Sequence, residues 1–258
     1  MVLKCQYDTA MWTKLAIFIW FSLESVVCPA QDSRDLNRHI YPLAPGITCP
    51  EIVLDFSDSP ESEKWANTAK ELVREWFSTV CSLLATDGKN PTTGLLTGKP
   101  FVPDIVLRLV FKKEIGPPAF ASGNTITVNG KWIAAHPEDL GMMIHELTHI
   151  VQAYPNAKTT PGWLVEGIAD YIRWWKYEPE LHATSGRTKV NPEKASYKDS
   201  YRTTAVWLAW CSRKYDMALV PSLDYAMRNK EDPMPVFQTL TKKTADELWQ
   251  EFVDGIKP

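Results

Sequence analysis

The chain has 258 residues, room for one large domain or two small ones. Its 45% apolar and 23% charged residues match a soluble globular protein, and a net charge of −3 with pI near 6.0 gives no electrostatic footprint for nucleic acid. No run of eighteen apolar residues occurs, so no membrane-spanning helix is expected.

At the N-terminus, Lys4 and Lys14 precede an apolar run over residues 15–23, and Cys28-Pro29-Ala30 leads into Gln31. This pattern predicts a secretory signal over residues 1–30, although Asp8 and Glu24 are atypical of one. Residues 31–48 are polar and then proline-rich, and read as an extended arm. Cleavage near residue 30 would remove Cys5 and Cys28 and leave Cys49, Cys81 and Cys211. At most one internal bridge could then form. A Cys49–Cys81 pair and three packed free thiols are both compatible with the spacing.

Residues 51–56 alternate as a first strand, with Ile52, Leu54 and Phe56 on one face. Residues 61–85 have helical periodicity, with Trp65, Leu72, Trp76, Val80 and Leu83 as core positions. A Gly-, Pro- and Thr-containing loop, 86–103, leads to an apolar, β-branched strand at 105–111, read as central in a sheet. Gly116-Pro117-Pro118 breaks the chain before residues 119–128, which read as a hairpin or an edge strand.

The motif His145-Glu146-Leu147-Thr148-His149 follows. On a helix, residues four apart share a face, so two imidazoles can aim at one point. That is the H-E-x-x-H arrangement of zinc hydrolases, in which the Glu beside the ion serves as base. Pro137 is placed to open this helix, Glu138 and Asp139 to complement its positive end, and Pro155 to end it. Met143, Leu147, Ile150 and Val151 form its apolar stripe. Pro161 is placed to open a second helix that carries Glu166 and Asp170 one turn apart. Glu166 can complete a His₂Glu set for Zn²⁺, and Asp170 can accept a hydrogen bond from the far nitrogen of a ligating His.

Further along, residues 201–215, 218–228 and 244–253 read as helices, the last opened by the capping box Thr244-x-x-Glu247. The eleven tryptophans, among them Trp174, Trp175, Trp207 and Trp210, are expected in the core rather than at a sugar site. His136 is read as a loop or capping residue, and His182 lies in a polar loop.

The segments Gly141–Gln152 and 162–173 resemble the plant and microbial basic secretory protein family of peptidases. Phe120-Ala121-Ser122-Gly123-Asn124, Tyr201-Arg202-Thr203-Thr204-Ala205 and the stretch from Leu240-Thr241 through Asp246-Glu247-Leu248-Trp249 are similar to other segments of that family. The resemblance spans residues 49–254. It implies an α+β, zincin-like metallopeptidase domain over 49–258, with a mixed-sheet N-terminal lobe, a central H-E-x-x-H helix and a helical C-terminal lobe. It also implies a secreted enzyme with one Zn²⁺ on His145, His149 and Glu166, acting on a peptide or protein substrate. In zincins an edge strand runs along the cleft and pairs with the extended substrate. Here 120–127 is the candidate, with Phe120 to Asn124 as substrate-binding residues; a plain surface hairpin is the alternative reading. Tyr201 is the candidate donor to the developing oxyanion, with packing as its alternative. The acidic balance departs from the basicity that the family name advertises. Two other readings of the whole chain stand beside this one. One is a secreted defence-type protein that holds zinc with little turnover. The other is a zinc hydrolase of a non-peptide substrate.

Overall fold

The structure, a computed structural model, describes residues 46–85, 101–155, 158–179 and 190–256. The expected secretory segment, residues 31–45 of the arm, most of the 86–103 loop and His182 lie outside the described residues. The described chain is α+β, with one small mixed sheet and several helices.

Strand β1 (Ile52–Asp55) is followed by a 3₁₀ turn at Pro60–Ser62 and the long helix α1 (Glu63–Ala85). Strands β2 (Leu107–Lys112), β3 (Ala119–Ser122) and β4 (Thr125–Asn129) complete a sheet of order β1-β2-β4-β3. β1, β2 and β4 run parallel, and β3 turns back antiparallel on β4. The expected strand at 105–111 thus starts two residues later and is central. The 119–128 segment is a hairpin whose outer arm is the sheet edge. Leu107, Leu109 and Phe111 of β2 are buried, and Arg108 between them is exposed. This two-residue period aligns them with Ile52 on β1 and with Ile126 and Val128 on β4, giving one apolar face.

That face is covered by α1, whose buried stripe is Ala66, Ala69, Val73, Phe77, Val80 and Leu84. Trp65, Leu72 and Leu83, expected in the core, sit half-buried against it. Cys81 is buried in the same helix. It and Cys49 are free thiols, as is Cys211, and burial pushes the Cys81 thiol up to about 12.

After β4 come α2 (Gly130–Ala135), α3 (Gly141–Gln152) and α4 (Gly162–Ile172). The Asn129 side chain caps α2, accepting from Lys131 N–H at 3.0 Å and Trp132 N–H at 3.2 Å. Helix α3 begins at Gly141, not at Pro137. Asp139 is drawn away from helix capping because it accepts from Trp132 Nε1 at 3.0 Å and from Arg173 at 2.5 Å. At the far end Ala153 adopts a left-handed conformation and stops the helix before Pro155. Every residue of α3 except His149 is buried. The four-residue stripe read from the sequence therefore understated a helix that is central, not amphipathic.

Helix α4 runs into a π turn at Arg173–Tyr177. Then come α5 (Tyr201–Lys214), α6 (Leu219–Arg228), α7 (Met234–Thr241) and α8 (Ala245–Ile256). The capping box forms as expected, with Thr244 N–H on Glu247 at 2.7 Å and Glu247 N–H on Thr244 Oγ1 at 3.2 Å. Trp207 is fully buried among Tyr197, Phe237 and Trp249, so these rings are core. Among the described residues no helix is long and apolar enough to cross a membrane.

Helices α4 and α5 meet at Gly167. A Cβ there would lie 2.2 Å from Thr204 Cγ2, inside any tolerable contact. Thr204 is itself fixed, fully buried and donating to Tyr197 O at 2.6 Å. Gly167→Ala is therefore expected to destabilise by about 1–3 kcal/mol through overpacking. Thermal melts check this; an unchanged Tm would show that the two helices part at no cost.

Candidate metal centre

Helix α3 projects His145 and His149 from one face, and α4 brings Glu166 against them. His145 Nε2 stands 3.1 Å from His149 Nε2 and 3.2 Å from Glu166 Oε2, and His149 Nε2 is 3.4 Å from the same oxygen. These three atoms could hold one metal ion. A tetrahedral zinc with bonds of about 2.0–2.1 Å separates its ligands by about 3.3–3.4 Å, so the triangle fits with little adjustment. Nitrogen, nitrogen and carboxylate oxygen are also a donor set that zinc accepts.

Each histidine has a partner on its other nitrogen. Asp170 Oδ1 lies 2.8 Å from His145 Nδ1, and Gln152 Oε1 lies 2.8 Å from His149 Nδ1. Burial alone would lower the His145 pKa, but its bonds to Asp170 and Glu166 outweigh that and carry it to about 9. Burial likewise opposes the charge on Glu166, yet the two imidazoles hold its carboxyl down to about 2. Without a metal, one proton shared within this cluster takes the place of the cation. A metal must displace that proton, so its uptake is expected to weaken as the pH falls below about 9.

Glu146 is 7% exposed and lies beside the donor triangle, outside it. Burial raises its pKa, partly offset by the neighbouring imidazoles and by a hydrogen bond from the Ala121 backbone of β3. A buried carboxyl whose pKa is raised, next to a candidate metal position, is placed to take and return a proton there.

The site opens into a cleft of about 1030 Å³. Phe120 and Ala121 on β3 form one wall, and Tyr201 and Trp174 stand on the other elements around it. Phe120 and Tyr201 are 42% and 55% exposed, unusual for large rings among the described residues. The Tyr201 ring stacks at 6.1 Å from the His145 ring, with 17° between their planes. The Glu166 charge is the main cause of its raised pKa, so the phenol keeps its proton. Ser200 and Tyr201 both have positive φ, 65° and 45°, at the start of α5.

Not all of the 120–124 segment reaches the cleft. Ser122, Gly123 and Asn124 are absent from its lining. Gly123, with φ of 59°, and Asn124 form the two-residue turn of the hairpin. The Asn124 side chain donates to Val106 O at 2.7 Å and so holds the turn to the sheet. The His136 ring packs against Trp132 with centroids 4.2 Å apart and a 37° tilt, and it lines the cleft rather than joining the donor triangle. Sequence reasoning missed Gln152 and Arg173. Arg173 joins Asp139 and Glu178, tying the end of α4 to the approach of α3.

Comparison with curated proteins and with solved structures finds no match. A family described as Peptidase of plants and bacteria (BSP) matches residues 54–252, which take in the end of β1, strands β2 to β4 and all the residues of this site. The chain belongs to this peptidase family.

Proposed function

We propose that the protein is a secreted, zinc-dependent metallopeptidase of zincin type. The observation that carries the reading is the triangle of His145, His149 and Glu166 donors, 3.1–3.4 Å apart, with the Glu146 carboxylate beside it. When bound, zinc supplies Lewis acidity to a water and to the scissile carbonyl. Glu146 accepts the proton of the attacking water and returns it to the leaving amine. Asp170 keeps the His145 ring oriented by its bond to Nδ1. Tyr201 offers its phenolic proton to the oxygen on which negative charge develops.

Strand β3 supplies the substrate platform. Its pairing places Ser122 opposite Thr125 at the turn, so Phe120 and Ser122 bond to β4 while Ala119 and Ala121 turn their backbone outward, the Ala121 N–H toward Glu146 and its carbonyl toward the cleft edge. An extended peptide can add to this edge by main-chain hydrogen bonds, with the Phe120 ring against it. This favours a peptide substrate over a non-peptide one.

Metal counting on the purified chain, with digestion of a mixed peptide pool, tests the reading. The expected result is one zinc per chain and cleavage that a chelator stops and zinc restores. Material without a transition metal would end it. Zinc without cleavage would instead favour the binding-protein reading. For Tyr201→Phe, kcat should fall by about 10²–10³-fold with KM little changed. Mass spectrometry of secreted material should find its N-terminus near Gln31; an intact Met1 would refute processing there.

A further inference from the structure

We propose that Gln152 is a positioning residue that selects the tautomer of His149 and couples that ligand to the helix carrying Glu166. The inference rests on the metal reading given above. Gln152 is the last residue of α3 and only 1% exposed. Its Nε2 lies 3.1 Å from Val165 O on α4. A backbone carbonyl can only accept, so the amide must present its NH₂ group there. That turns Oε1 toward His149 Nδ1, 2.8 Å away. A carboxamide oxygen also can only accept, so Nδ1 must carry the hydrogen. A neutral imidazole has one N–H, and Nε2 is left with its lone pair directed at the donor triangle. The polarity of one peptide carbonyl thus passes through an amide and a ring to a ligand atom.

The arrangement differs from that at His145, where the carboxylate of Asp170 performs the orientation. Glu146, Glu166 and Asp170 already place three carboxyl groups around one ion position. A neutral partner on His149 orients the ring without adding a fourth. Because Val165 precedes Glu166, one side chain also fixes the spacing between the second and third ligands. The backbone of Gln152 is itself anchored, since Arg228 donates to Val151 O at 2.9 Å and to Gln152 O at 2.7 Å.

The test uses the full chain with two readouts. The first is the His149 tautomer, read from imidazole ¹⁵N shifts of the metal-free protein where the ring is neutral. The second is zinc affinity, measured by competition with a chelator. The wild type should show Nδ1–H at His149. Gln152→Leu should lose that preference and bind zinc about 10–100-fold more weakly. Gln152→Glu keeps the acceptor and loses the donor to Val165 O, so it should retain the Nδ1–H tautomer with an intermediate zinc affinity. It serves also if the Leu variant does not fold. An Nε2–H tautomer in the wild type overturns the proposal. So does a folded Gln152→Leu variant with zinc affinity within about twofold of wild type, or a tautomer change in Gln152→Glu. A wild type with the Nδ1–H tautomer but no zinc uptake supports the relay and removes the metal reading instead.

Discussion

Glu146→Gln is expected to keep the fold and the metal while lowering kcat by about 10²–10⁴-fold, the usual contribution of a positioned general base. The amide is nearly isosteric with the carboxylate, so the buried position stays filled. Glu146 is not one of the three clustered donors, so the metal count should remain that of wild type. The substitution removes only the capacity to take a proton. Circular dichroism, metal content and kcat on a cleavable peptide together check this. A variant within about tenfold of wild-type kcat would remove Glu146 from the proton-transfer role.

Arg228→Met should be among the most destabilising single changes in the chain, although Arg228 touches no metal donor. Its guanidinium bonds the last two carbonyls of α3 and pairs with Asp224 at 2.7 Å. Asp224 is fully buried and, among the described residues, otherwise accepts only from the Tyr154 hydroxyl, at 2.7 Å. Breaking a buried pair from one side costs about 3–5 kcal/mol, because the remaining charge is stranded. In a domain of this size that corresponds to a Tm lower by about 6–20 °C. Adding Asp224→Asn removes the stranded charge and should recover a large part of the loss. If the double variant melts no higher than the single, the stranded charge is not the cause.

The same pair sets a pH dependence. Burial carries the Asp224 pKa up to about 6 against the opposing pull of Arg228, above the value of about 3.9 in an unfolded chain. The folded state therefore holds this proton more tightly. Stability from this group is full below about pH 4 and is lost as the pH rises through about 6. In Arg228→Met the pKa rises further and the loss extends toward neutrality. Denaturant midpoints should then drop more for the variant than for wild type between about pH 6 and 8.

Much of the candidate metal centre is legible in the sequence because its spacing follows directly from helix geometry. His145 and His149 are one turn apart, and Glu166 and Asp170 are likewise. The structure brings all four to one place, with Asp170 on the far nitrogen of His145. The start of α3 was less legible. Pro137, Glu138 and Asp139 have the residue types of a helix opening, but Arg173, 34 positions further on, claims Asp139. A local rule loses there to a long-range ion pair. Gln152 was hidden for a similar reason: an amide at a helix end looks like ordinary surface until its contact with Val165 is known. The short helix α7 went unseen because eight residues, with Pro235 in the first turn, give too little periodicity to stand out.

The sheet shows the other limit. Hydrophobic alternation marks β2 and β4, but nothing in residues 119–128 states that the second arm inserts beside β2 and leaves the first outside. That order decides which backbone groups face the cleft. It is set by pairing across the sheet, not by the hairpin itself.

The consecutive positive φ angles at Ser200 and Tyr201 have a cost of about 1–3 kcal/mol each for residues that carry a Cβ. A glycine at 200 would relieve part of this and yield a sturdier molecule with a looser ring above the histidines. On the role proposed for Tyr201, the native chain trades endurance under heat for a phenol already aimed before any substrate arrives. Screens that reward thermal survival alone would be drawn to position 200, and on that proposed role would select variants that last longer and cut more slowly.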